Sequence, residues 1–482
     1  MNSLGKIEHF VVLMLENRSF DNLLGQLYPK SADFDGLSGA EMNLDAAGVA
    51  WKVNNQGGLE GAEMQAPDPD PGEHFDDINT QLFGSADPPP GAAPDMGGFV
   101  ANYMAQAADH PGPFDPAAIM HHFTPGQVPV ISALARLFAV SDRWFASAPC
   151  QTWPNRFFVH AATAHGYENN APPNFPYFVP SIYERIDAAG LDGGWKVYFH
   201  DIAQALTLER LHVRLDRFRL FAEFLVDARQ GSLPAYSFIE PRYFADLLQM
   251  PNDQHPPHNV ALGEQLLASV YNALRNGPDW AKTMLVVTYD EHGGCYDHVA
   301  PPAAARPEDP RPGQRFDFGR YGARVPAVLI SPYVKPGTIL RPAGATPFDH
   351  TSIIATLRKR FPELGAALTR RDAAAPDFGD ALSLDSPDNL GPQRLDALPY
   401  HAPAAETALA SAAKPNAMQQ ALLDLAAHVT KGKDLPVLDT FLSRQIAAMP
   451  KTVHGVPVEL ANDVSSAVAF VKNQLARLFQ NV

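Results

Sequence analysis

Residues Ile7-Glu8-His9-Phe10-Val11-Val12-Leu13-Met14-Leu15-Glu16, followed at once by Asn17-Arg18-Ser19-Phe20-Asp21, read as a buried strand whose carboxyl end carries a carboxylate and an amide. A near-continuous apolar run is what a strand covered on both faces by helices requires. In an open α/β sheet, ligands bind in the crevice outside the carboxyl ends of the strands, so Glu16 and Asn17 stand where such folds place their chemistry. A second strand ends the same way: Met284-Leu285-Val286-Val287-Thr288-Tyr289 delivers Asp290-Glu291-His292 and then Gly293-Gly294. Three carboxylates and one amide from two strand ends are hard oxygen donors, and they point to one cation held between them.

Further strands are expected at Trp195-Lys196-Val197-Tyr198-Phe199, which ends at His200, at Tyr236 to Pro241, and at Val325 to Ser331. Helices are expected from Val128 to Phe138, with Pro129 in the first turn, from Phe157 to Ala164, and from Val260 to Asn276. Strands that alternate with helices predict an α/β fold with a mostly parallel central sheet flanked by helices. The polar, Gly-rich and Pro-rich stretch from about residue 25 to 115 reads as long loops laid over a sheet edge. Thr152 is expected just before the second helix, where a hydroxyl serves equally as a cap and as a neighbour of a bound anion.

Length and composition bound the function. At 482 residues, with 46% hydrophobic and 10% aromatic side chains, the chain can bury a large core. A net charge of -16 argues against a nucleic-acid partner and against an unaided grip on anionic membranes. Cys150 and Cys295 are too few for a disulfide framework; they read as reduced buried thiols, with a bond between them left open. The chain shows neither a signal core nor a run near ~18 apolar residues, so no transmembrane segment and a soluble, cytoplasmic protein are expected. Nothing in the pattern sets an oligomeric state. Beyond Ala/Pro-rich and Asp-rich linkers, Met418 to Lys431 and Pro457 to Leu478 have helical spacing. Residues 401–482 are therefore expected to form a helical extension docked on a catalytic domain spanning 1–400.

Four motifs occur in a fixed order: Glu16-Asn17-Arg18-Ser19-Phe20-Asp21, Thr152-x-Pro154-Asn155-Arg156, Asn252-Asp253-x-His255-Pro256 and Tyr289-Asp290-Glu291-His292-Gly293-Gly294. The set resembles the phosphoesterase family that contains the non-specific and phosphatidylcholine-preferring phospholipases C and a bacterial acid phosphatase, over about residues 5 to 360. The resemblance implies an alkaline-phosphatase-like fold with long loop insertions. It implies Glu16, Asn17, Asp290 and Glu291 as metal ligands and Thr152 as a nucleophile bound to the same metal, so that a phospho-threonine forms. It also implies His255 as the leaving-group acid and His200 as a group for phosphate oxygens.

All-oxygen ligation favours one divalent Ca²⁺ or Mg²⁺ ion, with Zn²⁺ the other candidate. The implied substrate is a phosphoester, phospholipids included. Thr rather than Ser at position 152 turns the reading toward phospholipase C, with a phosphomonoesterase of the acid phosphatase type as the alternative. One position departs from the family pattern. After Asp70-Pro71-Gly72 this chain has Glu73 where a histidine is usual, and His74 is displaced by one. His292 and His350 lie near the motifs and read as structural hydrogen-bonding groups first.

Overall fold

The computed structural model describes residues 3–402 except 56, 60, 90, 108–113, 172–176 and 246–248, together with 416, 418–421, 452–453 and 456–457. The strands are β1 (His9–Leu15), β2 (Met42–Leu44), β3 (Ala50–Lys52), β4 (Ala139–Ser141), β5 (Trp195–Phe199), β6 (Phe218–Leu220), β7 (Tyr236–Glu240), β8 (Thr283–Tyr289), β9 (Ala327–Ile330) and β10 (Thr338–Ile339). The helices are α1 (Phe20–Leu24), α2 (Phe75–Phe83), α3 (Phe99–Ala107), α4 (Pro129–Leu137), α5 (Thr152–Ala161), α6 (Ile182–Ala189), α7 (Phe221–Gln230), α8 (Val260–Arg275), α9 (Thr351–Arg360) and α10 (Arg370–Ala374).

Among the described residues, eight strands form the central sheet in the order β10-β4-β9-β8-β1-β7-β5-β6. β1 lies in its middle, parallel to both β8 and β7, and every residue from Phe10 to Leu15 is buried. That position accounts for the unbroken apolar run in the sequence: a central strand with helices on both faces has no solvated side to alternate with. β9 pairs antiparallel with both β8 and β4, so the sheet is mostly parallel with one reversed strand.

The stretch from residue 25 to 115 is more than loops. It contains the antiparallel pair β2–β3 and helices α2 and α3, which build a second small core from Leu37, Ile78, Leu82, Phe99 and Tyr103. The punctuation by Gly and Pro hid these short elements, because each is stabilised by packing on its neighbours rather than by its own periodicity.

The start of α5 also differs from expectation. The helix begins at Thr152 itself, with Gln151 at the N-cap, so Thr152 lies inside the first turn and caps nothing. In the C-terminal region, Met418 and Ala421 are buried against the main core, and Gln419 Nε2 donates to the Tyr243 carbonyl at 2.6 Å. Pro457, expected to open a helix, instead pairs with Thr452 in a two-residue strand. The remainder of both expected C-terminal helices lies outside the described residues.

Helices α4 and α8 are joined by a buried carboxylate. Val128 at the N-cap of α4 has no side-chain oxygen, and Glu264 of α8 takes its place, accepting from Val130 N–H at 2.5 Å and Ile131 N–H at 3.2 Å. Burial pushes its pKa up to about 8, with those two N–H groups opposing the shift. A folded-state value above the unfolded 4.5 means that its favourable contribution is full below 4.5 and is lost as pH rises through 8. Glu264→Ala should cost about 2 to 4 kcal/mol in urea denaturation, because two buried donors lose their acceptor. Glu264→Gln should keep most of the stability and flatten its alkaline decline.

Candidate active site

The site follows from register. Leu15 pairs with Tyr289 across the parallel β1–β8 ladder, so the next residue of each strand, Glu16 and Asp290, emerges side by side at the carboxyl edge. Asp290 Oδ1 accepts the backbone N–H of Asn17 at 3.0 Å and that of Glu291 at 2.7 Å, which ties the two strand ends together. Asn17 takes a left-handed backbone (φ 55°), a conformation that Asn tolerates better than most residues. Gly293 lies against it. A Cβ there would fall 2.3 Å from the Asn17 carbonyl oxygen, so the Gly293-Gly294 turn is required by close approach.

Thr152 is delivered from the other side by the loop before α5. Asn155 organises that loop: its Oδ1 accepts from Ala148 N–H at 3.0 Å, and its Nδ2 donates to the Cys150 carbonyl at 2.7 Å. The Thr152 hydroxyl then sits, fully buried, 3.5 Å from Glu16 Oε2 and 3.4 Å from Asn17 Oδ1. The end of α5 offers an anion fewer amides than its position suggests, since Trp153 N–H goes to Asn170 Oδ1 at 2.7 Å and Pro154 has none.

Arg156, one turn into α5, lies between the two strand-end carboxylates. Its Nη2 is 2.5 Å from Glu16 Oε1 and its Nε is 3.5 Å from Asp290 Oδ2. Gln204 Nε2 donates to Glu16 Oε1 at 3.0 Å. Glu73 is buried against the same cluster: Asn17 Nδ2 donates to its Oε2, and Gln151 Nε2 lies 3.4 Å from its Oε1. His255 Nε2 stands 3.5 Å from Glu73 Oε2, and Nδ1 is 2.7 Å from the Pro256 carbonyl oxygen. The loop carrying His255 is anchored to β1, because Glu16 N–H donates to the Asp253 carbonyl at 2.9 Å.

These charges shift one another. Burial drives Glu16 well above the usual carboxylate range; Arg156 pulls it down and Asp290 pushes it further up. Burial, then Glu73 and Asp290, do the same to Glu291. Burial alone would lower His255, but the carboxylates of Asp70 and Glu73 outweigh it and hold the ring well above the ordinary imidazole value. Asp290 Oδ2 and Glu291 Oε1 are buried and accept no hydrogen bond.

A family model described as "Phosphoesterase family" matches residues 7–362. The chain belongs to the phosphoesterase family. It is 40% identical over 408 residues to non-specific phospholipase C1 of Arabidopsis thaliana, covering 81% of this chain and 74% of that protein. It is 29% identical over 435 residues to phospholipase C A of Mycobacterium tuberculosis, covering 80% and 78% respectively. Of the solved structures, that of Ps i-CgsB overlaps with a TM-score of 0.31 at 10% identity, covering 53% of this chain and 70% of that one. This phosphoesterase is therefore a phosphoric ester hydrolase, and no helix of its described residues is long and apolar enough to cross a membrane.

The structure brings Glu16, Asn17, Thr152 and Asp290 to one strand edge, with Glu291 next to Asp290 and His255 reached through Glu73; the carboxylate atoms of Glu16, Asp290 and Glu291 do not all lie within 4.8 Å of one another. His200 stands apart. Its Nδ1 is 3.1 Å from the Glu240 carbonyl oxygen, and its ring stacks on Phe221 with centroids 4.3 Å apart, beside a cavity of about 330 Å³ shared with Arg242 and Asn252. Burial, and Arg242 after it, lowers His200 to about 3, so the ring is neutral. With Nδ1–H given to Glu240, Nε2 can only accept, which does not suit a phosphate oxygen.

His74 is exposed at the head of α2 and takes no part in the site. His292 Nε2 and Gln81 Oε1 are 2.8 Å apart, and His350 Nε2 is 2.6 Å from the Asp290 carbonyl oxygen; both are structural contacts. Cys150 and Cys295 are free and buried. Cys150 packs among Phe75, Phe158 and Phe316, and Cys295 Sγ lies 3.9 Å from the Asn17 carbonyl oxygen.

Sequence reasoning missed three site residues. Glu73 could have been found from its place after Asp70-Pro71-Gly72, and Arg156 from its spacing to Thr152; Gln204 carries no local signal. Among the described residues, the group of three acidic or histidine side chains whose ligand atoms all lie within 4.8 Å of one another is Asp21, Asp297 and His298. There Arg324 bridges Asp21 Oδ1 and Asp297 Oδ1 at 2.9 Å each, as Arg156 bridges Glu16 and Asp290. Arg156→Met should destabilise the phosphoesterase by about 3 to 5 kcal/mol in denaturant titrations, because two buried carboxylates lose their shared cation. Arg156→Lys should recover only part, since one ammonium cannot span both oxygens.

Proposed function

We propose that this phosphoesterase is a phospholipase C-like hydrolase that works through a phospho-threonine on Thr152. The observation that carries the reading is the Thr152 hydroxyl, buried at the head of α5 between Glu16 Oε2 at 3.5 Å and Asn17 Oδ1 at 3.4 Å. The names of the relatives from Arabidopsis thaliana and Mycobacterium tuberculosis favour a phospholipid over a simple phosphomonoester. We read the sheet as alkaline-phosphatase-like, a reading supported by the carboxylates and hydroxyl collected at its carboxyl edge. We take residues 1–400 as the catalytic unit, with the docking of Met418 and Gln419 supporting an extension folded back onto it.

A divalent cation fits these residues. Asp290 Oδ2 and Glu291 Oε1 are buried hard oxygens that accept no hydrogen bond, and burial makes the Glu16 and Glu291 carboxyls reluctant to ionise, an incomplete arrangement that a cation completes. Glu16, Asn17, Thr152, Asp290 and Glu291 would hold it, with Ca²⁺ or Mg²⁺ preferred by the donor set. Such an ion supplies the positive charge that acidifies the Thr152 hydroxyl and offsets the phosphate.

The chain's own residues perform the remaining steps. Thr152 Oγ1 gives its proton to Glu16 Oε2, 3.5 Å away, and attacks phosphorus; the ester bond to the leaving alkoxide breaks, and the head-group phosphate stays on Thr152. The proton for the alkoxide comes from His255, whose Nδ1 is occupied by the Pro256 carbonyl and whose Nε2 faces the cluster. The neutral ring then takes a proton from the water that attacks the phospho-threonine, and the proton held on Glu16 returns to Thr152 Oγ1 as the phosphorylated head group is released.

Thr152→Ala should lower turnover by about 10³-fold or more on every phosphoester, while Thr152→Ser keeps measurable activity. Assays on para-nitrophenyl phosphate, para-nitrophenyl phosphorylcholine and phosphatidylcholine vesicles read both effects. Near-wild-type rates for Thr152→Ala would refute the covalent mechanism.

The metal reading has its own signature. Glu16 and Glu291 are raised above 4.5 in the folded state, so the stability they contribute is full below 4.5 and is lost as pH rises through their folded values. Chelator-treated protein should therefore melt at progressively lower temperature as pH rises above 4.5. Added Ca²⁺ or Mg²⁺ should restore the melting point most at the upper end. Coincident melting curves with and without the ion would remove the metal from the scheme.

A further inference from the structure

We propose that Glu73 sets the charge of the substrate this site accepts, favouring a phosphodiester monoanion over a phosphomonoester dianion. The inference rests on Thr152 being the point of attack. It starts from where the Glu73 carboxylate lies. Asn17 presents its Nδ2 to Glu73 Oε2 and its Oδ1 to Thr152 Oγ1, so a single amide separates the carboxylate from the nucleophile. Gln151, the residue before Thr152, approaches Glu73 Oε1 through its Nε2 at 3.4 Å. Glu73 is thus tied to the nucleophile from two sides, and it is 1% exposed, with little solvent to screen it.

His255 does not cancel this charge. Its Nε2 is 3.5 Å from Glu73 Oε2, but its Nδ1 is 3.6 Å from Asp70 Oδ1, so one ring faces two carboxylates. Arg156 is committed on the other side, to Glu16 and Asp290.

A phosphomonoester above its second pKa of about 6 carries one more negative charge than a diester. Whatever else the site contains, that extra charge meets the Glu73 carboxylate. A unit charge at roughly 6 Å, with an effective dielectric near 20, shifts relative binding by about 100-fold, and by about tenfold if local screening halves it in energy. The carboxylate also serves Asn17. An acceptor-only partner holds the amide with its NH₂ toward Glu73, which leaves Oδ1 facing Thr152.

The test is Glu73→Gln, which keeps an oxygen for Asn17 Nδ2 and removes the charge. Para-nitrophenyl phosphate and methyl para-nitrophenyl phosphate share a leaving group and differ in charge. The ratio of their kcat/KM values should move toward the monoester by about tenfold or more in the variant. Calorimetry should show tighter binding of inorganic phosphate to Glu73→Gln, with a smaller gain for dimethyl phosphate, which carries one charge fewer than the phosphate dianion.

An unmoved ratio and unmoved phosphate affinity in a folded variant would overturn the proposal. If the variant does not fold, the wild-type protein still decides. Its kcat/KM on the monoester, taken relative to that on the diester, should fall as pH rises through the substrate's own second ionisation near about 6. A flat ratio there overturns the proposal. Failure of the Thr152 reading would show separately, as activity that survives Thr152→Ala.

Discussion

The contact on which the rest of the site depends is the buried guanidinium of Arg156 held between Glu16 and Asp290. The β1–β8 register forces those two carboxylates to leave the sheet side by side, and in a buried setting two like charges at that spacing repel strongly. Arg156 answers both at once because its planar fork carries donors on separate nitrogens. The arrangement leaves Asp290 Oδ2 without a hydrogen bond and Arg156 Nε and Nη1 without acceptors, so the pairing is incomplete as well as indispensable. Buried polar groups left in that condition are costly in a structural role, and they are what a site prepared for a further ligand retains.

Positioning is achieved by backbone contacts, with few side-chain pairs doing the aligning. Asp290 Oδ1 holds the Asn17 and Glu291 amides, the Asp253 carbonyl holds Glu16 N–H, and Asn155 holds the carbonyls before α5. Each of these joins a chemical group to a strand end or a helix start, elements that cannot shift without breaking the sheet. The nucleophile, the acidic cluster and the His255 loop are therefore fixed relative to one another by the ladder itself, which suits chemistry that tolerates little misplacement.

Much of this was legible in the chain. The apolar runs ending in Glu16-Asn17 and Asp290-Glu291 announced two parallel central strands, because a strand covered on both faces leaves a distinctive pattern and its carboxyl end has a defined use. The adjacency of the runs was not legible. It depends on β9 entering antiparallel and on β7 taking the other flank of β1, which are pairings between distant segments. The start of α5 was expected at Phe157, five residues late, because Gln151 is an unusual N-cap whose role depends on contacts from Asn155. His200 looked like a phosphate ligand by position, yet its proton goes to the Glu240 carbonyl, and only a hydrogen-bond partner can reveal that. Glu73 and Arg156 stood inside recognised motifs without a role, since charge alone does not say which neighbour it will meet.

The overall charge bears on the substrate as well. A protein of net charge -16 repels anions at long range, and the Debye length of about 8 Å at physiological salt restricts that field to the last stage of approach. A dianion meets both this field and the carboxylates of the site. A zwitterionic phospholipid head group meets neither in full: its cation offsets the phosphate at a distance, and only the single phosphate charge enters the cluster around Thr152. The acidic surface and the acidic pocket thus discriminate in the same direction. A phosphodiester with a neighbouring cation is the phosphoester such a protein admits at least electrostatic cost, which accords with the phospholipase C reading and with the place of Glu73 within it.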